Sequence, residues 1–541
     1  MKSISAIAEA VGLNAGDIVP YGKFMAKVPL ESFPKSGGAG KLIVVTAITP
    51  TPLGEGKTVT AIGLVDGLAK LGKRSCLTLR QPSMAPVFGA KGGGTGGGLA
   101  RVVPGEQINL HFTGDFHAVA SAHNLLAAIA DSAAYFKQVE GLEPHGVVWN
   151  RVHSVEDRSL RSVITSANED ESMRRRTGFD IDAASEIMAI LALSRDYADL
   201  RERLGNIVVA FTKEVQPVRA RDLGAIGPML ALLREALMPN LVQTLEGQPA
   251  VVHTGPFGNI AHGCSSILAD KLALASSEYV VTEAGFGADL GLEKFVHIKT
   301  RAGGILPSAA VVVATARALK LHGGVPLKET SLPDVNAVIA GSVNLAHAIE
   351  IARGFGIPVV VAINRFPDDS QEEISAIKKC ALEAGARAAV ESFAFARGGA
   401  GAVELAEAVV KNCAENPVLS YLYALSAPIE EKAEVIAKKV YNASNVEWSE
   451  LALEKIKLFT ACGWGQLPVC MAKTHLSLSA DHKAKGVPKG HVLPITDARI
   501  SAGAGLIYLL AGNINTMPAL PRNANFLKID LDENFEITGI Q

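Results

Sequence analysis

The sequence predicts an α/β protein built on a doubly wound, mostly parallel sheet in a large N-terminal domain, with two smaller α/β domains after it. Two observations carry this. A glycine-bearing loop, TPLGEGKT at 51–58, stands between an apolar run at 42–48 and a stretch in which Val59, Ile62, Val65 and Leu68 recur at helical spacing. Elsewhere, short apolar runs alternate with helical patterns. Most of those runs are continuous rather than alternating, which suits parallel strands covered on both faces.

The elements follow in order. Beyond the first strand, runs at 75–80, 206–212, 249–253, 279–282, 309–315, 337–340 and 357–364 predict strands. Periodic segments at 183–193, 222–237, 344–353 and 371–383 predict helices. At 541 residues the chain exceeds one ordinary core. We divide it into a nucleotide-binding domain at 1–350, a middle α/β domain at 351–430 and a C-terminal α/β domain at 431–541. The last begins where a charged helical stretch opens.

Composition narrows the function. Hydrophobic residues make up 48% and charged residues 20%, a core-rich globular balance. The net charge of −2 gives no electrostatic support for nucleic acid or an anionic membrane as partner. No uninterrupted apolar run reaches bilayer length, and the first ten residues contain Lys2 and Glu9, unlike a signal peptide. The six cysteines are scattered, with no zinc spacing, and a cytoplasmic location is the expectation.

The loop at 51–58 carries the strongest chemical signal. Strand, tight loop and helix form the setting of a P-loop NTPase-like phosphate site. Backbone N–H groups at the helix start cradle phosphate oxygens, helped by the helix dipole. Lys57 is placed to reach the terminal phosphates and Thr58 to hold Mg²⁺. Thr51 stands where the general pattern asks for glycine, between Pro50 and Pro52. Thr51, Pro52, Leu53, Gly54, Glu55, Gly56, Lys57 and Thr58 are the candidate ATP-binding run. A glycine-rich surface turn with an ordinary lysine is the competing reading.

Further candidates lie where chain segments end strands. Arg80, closing the second strand, is placed to clamp a carboxylate or acyl phosphate, or is a plain surface arginine. Asp115, in HFTGDFH at 111–117, sits in a turn that suits a base, or is an ordinary loop aspartate. Glu283 ends the 279–282 strand ahead of a glycine turn around Phe286. The run NRFPD at 364–368 resembles the guanine-reading turn of GTPases, but Pro367 occupies the acid position, which argues against a GTPase. Phe366 and Phe395 are two rings able to stack a planar heterocycle; core packing is the alternative for each. The glycine run at 91–98, between Lys91 and Arg101, is either a loose surface loop or a backbone that approaches an anion or another chain.

Taken in order, these motifs resemble formate–tetrahydrofolate ligase, also called formyltetrahydrofolate synthetase. The matching segments include TPLGEGKT at 51–58, PVFGAKGG at 86–93, INLHFTGDFHA at 108–118, GPFGNIAHGCSS at 255–266, VVTEAGFGADLGLEKF at 280–295, VAINRFPDD at 361–369, LPVCMAKT at 467–474 and INTMPALP at 514–521. They run collinearly through nearly the whole chain. The resemblance implies an ATP-dependent ligation of formate to N10 of tetrahydrofolate through formyl phosphate, in one-carbon metabolism. It implies ATP with Mg²⁺, tetrahydrofolate as co-substrate, K⁺ or NH₄⁺ as activator, and a homotetramer.

By the same resemblance, Lys57 and Arg80 are catalytic, with Arg80 on formate and formyl phosphate. Asp115 is catalytic near the pterin and N10, as positioning group or base. Phe286 and Gly287 line the adenine, and Phe366, Pro367 and Phe395 form the pterin slot. Four positions depart from the family pattern. Gln81 replaces a glutamate near the monovalent-cation site, and Phe395 a tryptophan. Asn442 and Thr254 each replace a glycine. The competing functions are a P-loop ligase or kinase for another small carboxylate, a nucleotide switch, and a folate-binding paralogue without turnover.

Overall fold

The computed structural model describes residues 1–541 except 36–39, 91–92, 167–170, 415–416, 513 and 541. Its centre is a 12-stranded sheet. Eight of its strands matter here: β1 Lys41–Ala47, β2 Ser75–Leu79, β3 Asn240–Thr244, β4 Pro249–Val252, β5 Tyr279–Glu283, β6 Pro307–Ala314, β7 Val359–Asn364 and β8 Ala388–Ser392. They lie in the order β3-β4-β2-β5-β1-β6-β7-β8, parallel from β4 through β8. Only β3 and the short strands beyond it run antiparallel.

The parallel arrangement follows from the sequence. Leu42, Val44 and Ile48 enter one buried cluster, while Ile43, Val45 and Ala47 enter another. From Leu42 to Ala47 every position of β1 but Thr46 is therefore apolar, because both faces are covered. The chain leaves β1 through helix α1, Lys57–Lys70, and arrives at β2 with β5 between them. Strand β6 returns on the other side of β1. Direction reverses about β1, and in open α/β sheets such a reversal opens a crevice at the strands' carboxyl ends.

Two more helices position the site: α2, Asp115–Tyr135, and α3, Val335–Gly354. The predicted strand at 337–340 is part of α3. The local residues, Ala-Val-Ile-Ala, read as strand, but Asp334 caps the helix through Ala337 N, and residues 337, 338, 341, 345 and 348 bury one helical face. By length and composition α3 also passes as a bilayer-spanning helix, yet it packs against Ala316–His322 and Gln371–Glu383 as a core helix. The predicted helix at 371–383 has the predicted bounds, set by a capping box between Ser370 and Glu373.

From residue 429 the chain forms α4, Ile429–Lys439, then Asn445–Trp448, α5 Glu450–Ala461 and a three-stranded sheet of Val469–Ala472, Asp497–Ser501 and Leu506–Leu510. The core runs without a break from α1's sheet into this region: Trp464, Met471 and Ile507 share a buried cluster with Leu42 and Val361.

Candidate active site

The loop between β1 and α1 is held in a defined shape by its own sequence. Gly54 and Gly56 take φ of +73° and +76°, a region that favours glycine. Gly56 occupies the position before the first helical turn, so α1 begins at Lys57. The Glu55 carboxylate accepts from Thr51 N at 2.7 Å, closing the loop on itself. Burial raises the Glu55 carboxyl above the usual range, opposed by the Lys57 charge and the Thr51 amide. Thr51 is buried; Pro52, Leu53 and Gly54 are exposed; Lys57 and Thr58 are half-buried at the mouth. Thr51 replaces glycine without opening the turn, because its own N–H ties to Glu55.

Sequence reasoning missed the residue that braces this loop. Asn364, at the end of β7, donates from Nδ2 to Glu55 O at 2.8 Å and Gly56 O at 3.3 Å. Its Oδ1 accepts from the Thr60 hydroxyl at 2.9 Å. Comparison with a guanine-reading turn drew attention to Pro367 instead. The available signal was a polar residue ending an otherwise apolar parallel strand near the loop.

A second brace fixes the strand end before the loop. The Asn344 carboxamide accepts from Thr49 N at 2.9 Å and donates to Thr49 Oγ1 at 3.0 Å and Gly486 O at 2.9 Å. His322 Nε2 donates to Thr49 O at 2.8 Å, while Nδ1 accepts from Gly486 N at 3.1 Å. This pairing requires the neutral ring, and burial pushes its pKa down to about 4.

Beside the loop, β2 and β5 deliver Arg80 and the 283–289 turn. A Cβ on Gly285 would lie 3.1 Å from Arg80 Nη2, and one on Gly287 would lie 2.9 Å from Ile48 O. Glycine there lets the turn lie against both the arginine and the loop strand. Phe286 takes φ of +60° and stacks on His475 at 4.7 Å, with Gly258 beneath its ring. Asp289 is buried and accepts from Lys473 Nζ at 3.1 Å.

The neighbourhood of Arg80 holds an unusual concentration of buried polar atoms without a hydrogen-bond partner: Arg80 Nε, Gln81 Oε1, Thr254 Oγ1, Asn259 Oδ1 and Glu283 Oε1. Native interiors leave few such atoms, so a set on adjoining segments marks where ligand or water belongs. Burial, with Lys299, Arg80 and Lys294 around it, holds His262 well below its ordinary pKa.

Asp115 lies elsewhere. It opens α2, buried, with Oδ1 2.6 Å from Lys27 Nζ and Oδ2 accepting from Asn240 Nδ2 at 2.7 Å. Lys27 also donates to Asn240 Oδ1 at 3.1 Å, and Lys27 is a partner that the sequence did not suggest. The link to Arg80 passes through the neighbouring side chain: the Phe116 ring lies against Gly255, which abuts Gln81 O.

Phe366 and Phe395 follow the carboxyl ends of neighbouring strands β7 and β8. Phe366 carries the Arg317 guanidinium at 4.1 Å, itself bound by both oxygens of Asp368 at 2.6 and 2.8 Å. Pro367 is exposed beside it. Phe395 is 61% exposed; its edge lies over Gly97 and its carbonyl accepts from Leu99 N at 2.9 Å. The described part of the glycine run therefore approaches another segment of its own chain, while Lys91 lies outside the described residues. The rings of Phe366 and Phe395 do not stack on one another among the described residues.

Two departures from the resembled family find a backbone reason. Thr254 and Asn442 take φ of +55° and +56°, where glycine is the unstrained choice. Asparagine tolerates that region; threonine, being β-branched, is strained there.

A mostly parallel α/β sheet with a braced glycine loop after β1 and an arginine after β2 defines an α/β protein with polar groups gathered at its sheet's carboxyl edge. A family model described as formate–tetrahydrofolate ligase matches residues 1–541. The chain belongs to that family, and it is a ligase. Proteins named formate–tetrahydrofolate ligase from Roseiflexus castenholzii and Desulforamulus reducens are each 51% identical to it, covering all of this chain and 98% and 97% of theirs. One from Thermotoga petrophila is 48% identical over the full length of both.

Proposed function

We propose that this protein ligates formate to N10 of tetrahydrofolate at the expense of ATP, through formyl phosphate, on a doubly wound P-loop-type sheet. The observation that carries the reading is the cluster of unpartnered buried polar atoms around Arg80, at the mouth of the braced glycine loop. Family membership supports the substrates.

The chemistry balances in two steps. A formate oxygen attacks the γ-phosphorus of ATP, and the bond to the β-bridging oxygen breaks to release ADP. The N10 lone pair then attacks the formyl carbon; the C–O bond breaks, phosphate leaves and N10 loses a proton. Formate alone is a poor acyl donor because oxide would have to leave. Phosphoryl transfer is mostly positioning and charge stabilisation, a task suited to Lys57, the loop N–H groups and Arg80. N10 is aniline-like and neutral near pH 7, so a proton acceptor acts during or after attack. With both carboxylate oxygens engaged, Asp115 suits positioning better than proton abstraction.

Phe286 and Gly287 are assigned to the adenine side, and Phe366, Pro367 and Phe395 to the pterin. Mg²⁺ fits Thr58, whose hydroxyl stands at the first turn of α1. In phosphate sites Mg²⁺ takes few protein ligands, most of its coordination coming from phosphate oxygens and water. When bound, it would neutralise phosphate charge. The buried, unpartnered Gln81 Oε1 offers an oxygen to a monovalent cation such as K⁺ or NH₄⁺, without the charge of glutamate.

The test is product formation by purified protein with ATP, Mg²⁺, formate and tetrahydrofolate, read as methenyltetrahydrofolate after acidification. Product should require all three substrates. Lys57→Ala should abolish ADP formation in a folded protein, and Arg80→Ala should raise the formate requirement. Formate kinetics unchanged in Arg80→Ala would remove that residue from the site.

A further inference from the structure

A partly open cavity lies away from the glycine loop. It measures about 480 Å³, within the range that holds small organic ligands. One wall is helix Glu186–Leu193 with Trp149; the other is the face of the C-terminal sheet bearing Arg499 and Tyr508, closed by Phe459 of α5. None of its lining residues belongs to the catalytic assignment above.

Its polar groups are unequally committed. Lys455 Nζ sits 2.5 Å from Asp497 Oδ1. Glu186 Oε1 accepts from Gly503 N and Ala504 N at 2.7 and 3.1 Å. Asp180 accepts from Asn150 Nδ2 at 3.3 Å and from the Thr516 hydroxyl. Both ring nitrogens of His123 are bonded, to Ser185 and Asn150 O, and the ring stacks on Trp149 at 4.2 Å. Arg499 differs. Its nearest carboxylate is Asp497 at 3.7 Å, already bonded more closely by Lys455. Its cross-strand partner Tyr508 shares a side-chain hydrogen bond with it, and both side chains line the cavity.

We propose that this cavity binds an aromatic monocarboxylate, its carboxylate on the Arg499 fork beside the Tyr508 hydroxyl and its ring between Trp149 and Phe459. A guanidinium offers two parallel donors to one carboxylate, and flat apolar walls select a flat apolar body. A neutral ligand of the same shape forgoes the charge-assisted bonds. A dianion exceeds the one lining cation that no carboxylate holds closely.

The experiment is titration calorimetry on the full-length protein with indole-3-acetate, phenylacetate and 2-naphthoate, each beside its neutral amide. A non-hydrolysable ATP analogue and tetrahydrofolate are present throughout to keep the glycine-loop site filled. At least one acid should bind about tenfold or more tightly than its amide, a difference of about 1.4 kcal/mol. Arg499→Gln should remove that preference while keeping ligase turnover, and Arg499→Lys should restore part of it. Absence of binding by all three acids, equal binding of acid and amide, or an unchanged preference in Arg499→Gln overturns the proposal. Retained turnover separates a lost site from a misfolded protein.

Discussion

Asn364 Nδ2 lies 2.7 Å from where a Cβ on Gly56 would stand, and it donates to the carbonyls of Glu55 and Gly56. One carboxamide from β7 thereby fixes the last turn of the glycine loop and, through Thr60, the first turn of α1. Gly56 has two reasons to be glycine: its φ of +76° and this contact.

Removing the brace loosens the loop without unfolding the sheet. Asn364→Ala leaves the Glu55 carbonyl and the Thr60 hydroxyl without their carboxamide partner, a loss on the order of 1–3 kcal/mol. The expected outcome is at least a tenfold rise in KM for ATP with the formate KM little changed. Steady-state kinetics at varied ATP and formate check this. An unchanged ATP dependence would show that the loop holds its shape alone.

The Lys27–Asp115 pair is buried, with side chains 1% and 4% exposed. Lys27→Met strands the Asp115 charge, and breaking such a pair from one side costs about 3–5 kcal/mol. Urea denaturation measures it. Asp115→Asn should spare formyl phosphate formation more than transfer to tetrahydrofolate. Equal loss of both partial reactions contradicts the assignment of Asp115 to the folate side.

His322 makes stability depend on pH. Its folded pKa of about 4 lies below the ordinary 6.5 because burial disfavours the charged ring. Between those values the unfolded chain binds more protons, so stability is present in full above about 6.5 and falls as pH drops toward 4. His123 and His253, also lowered to about 4 by burial, act in the same direction. His322→Gln should show a smaller loss of stability than the parent between pH 7 and pH 5, measured by chemical denaturation at each pH. Equal losses would show that His322 titrates normally in the folded protein.

Gln81 presents a buried oxygen with no partner. Placing a carboxylate there by Gln81→Glu should increase activation by K⁺ several-fold over the parent. Rates with and without K⁺ in both proteins provide the check; the same K⁺ response in each would place the cation elsewhere.

The sequence made the parallel sheet legible because burial on both faces leaves continuous apolar runs, as in β1 and β6. It misled at 337–340, where a short apolar run lacks the length to show its helical period and the Asp334 cap decides. The loop and Arg80 were legible because their chemistry is local to a motif. Asn364, Asn344, His322 and Lys27 were not, since each acts on a residue roughly 90–310 positions away and only the sheet order brings them together.

Formate labelled by ¹⁸O tests whether a formyl phosphate intermediate forms at this loop. If formate oxygen attacks the γ-phosphorus and phosphate later leaves the formyl carbon, each phosphate released carries one formate oxygen. Mass spectrometry of the phosphate should find one ¹⁸O per product formed, and Lys57→Ala should form no labelled phosphate. Phosphate free of label during normal turnover would contradict the account.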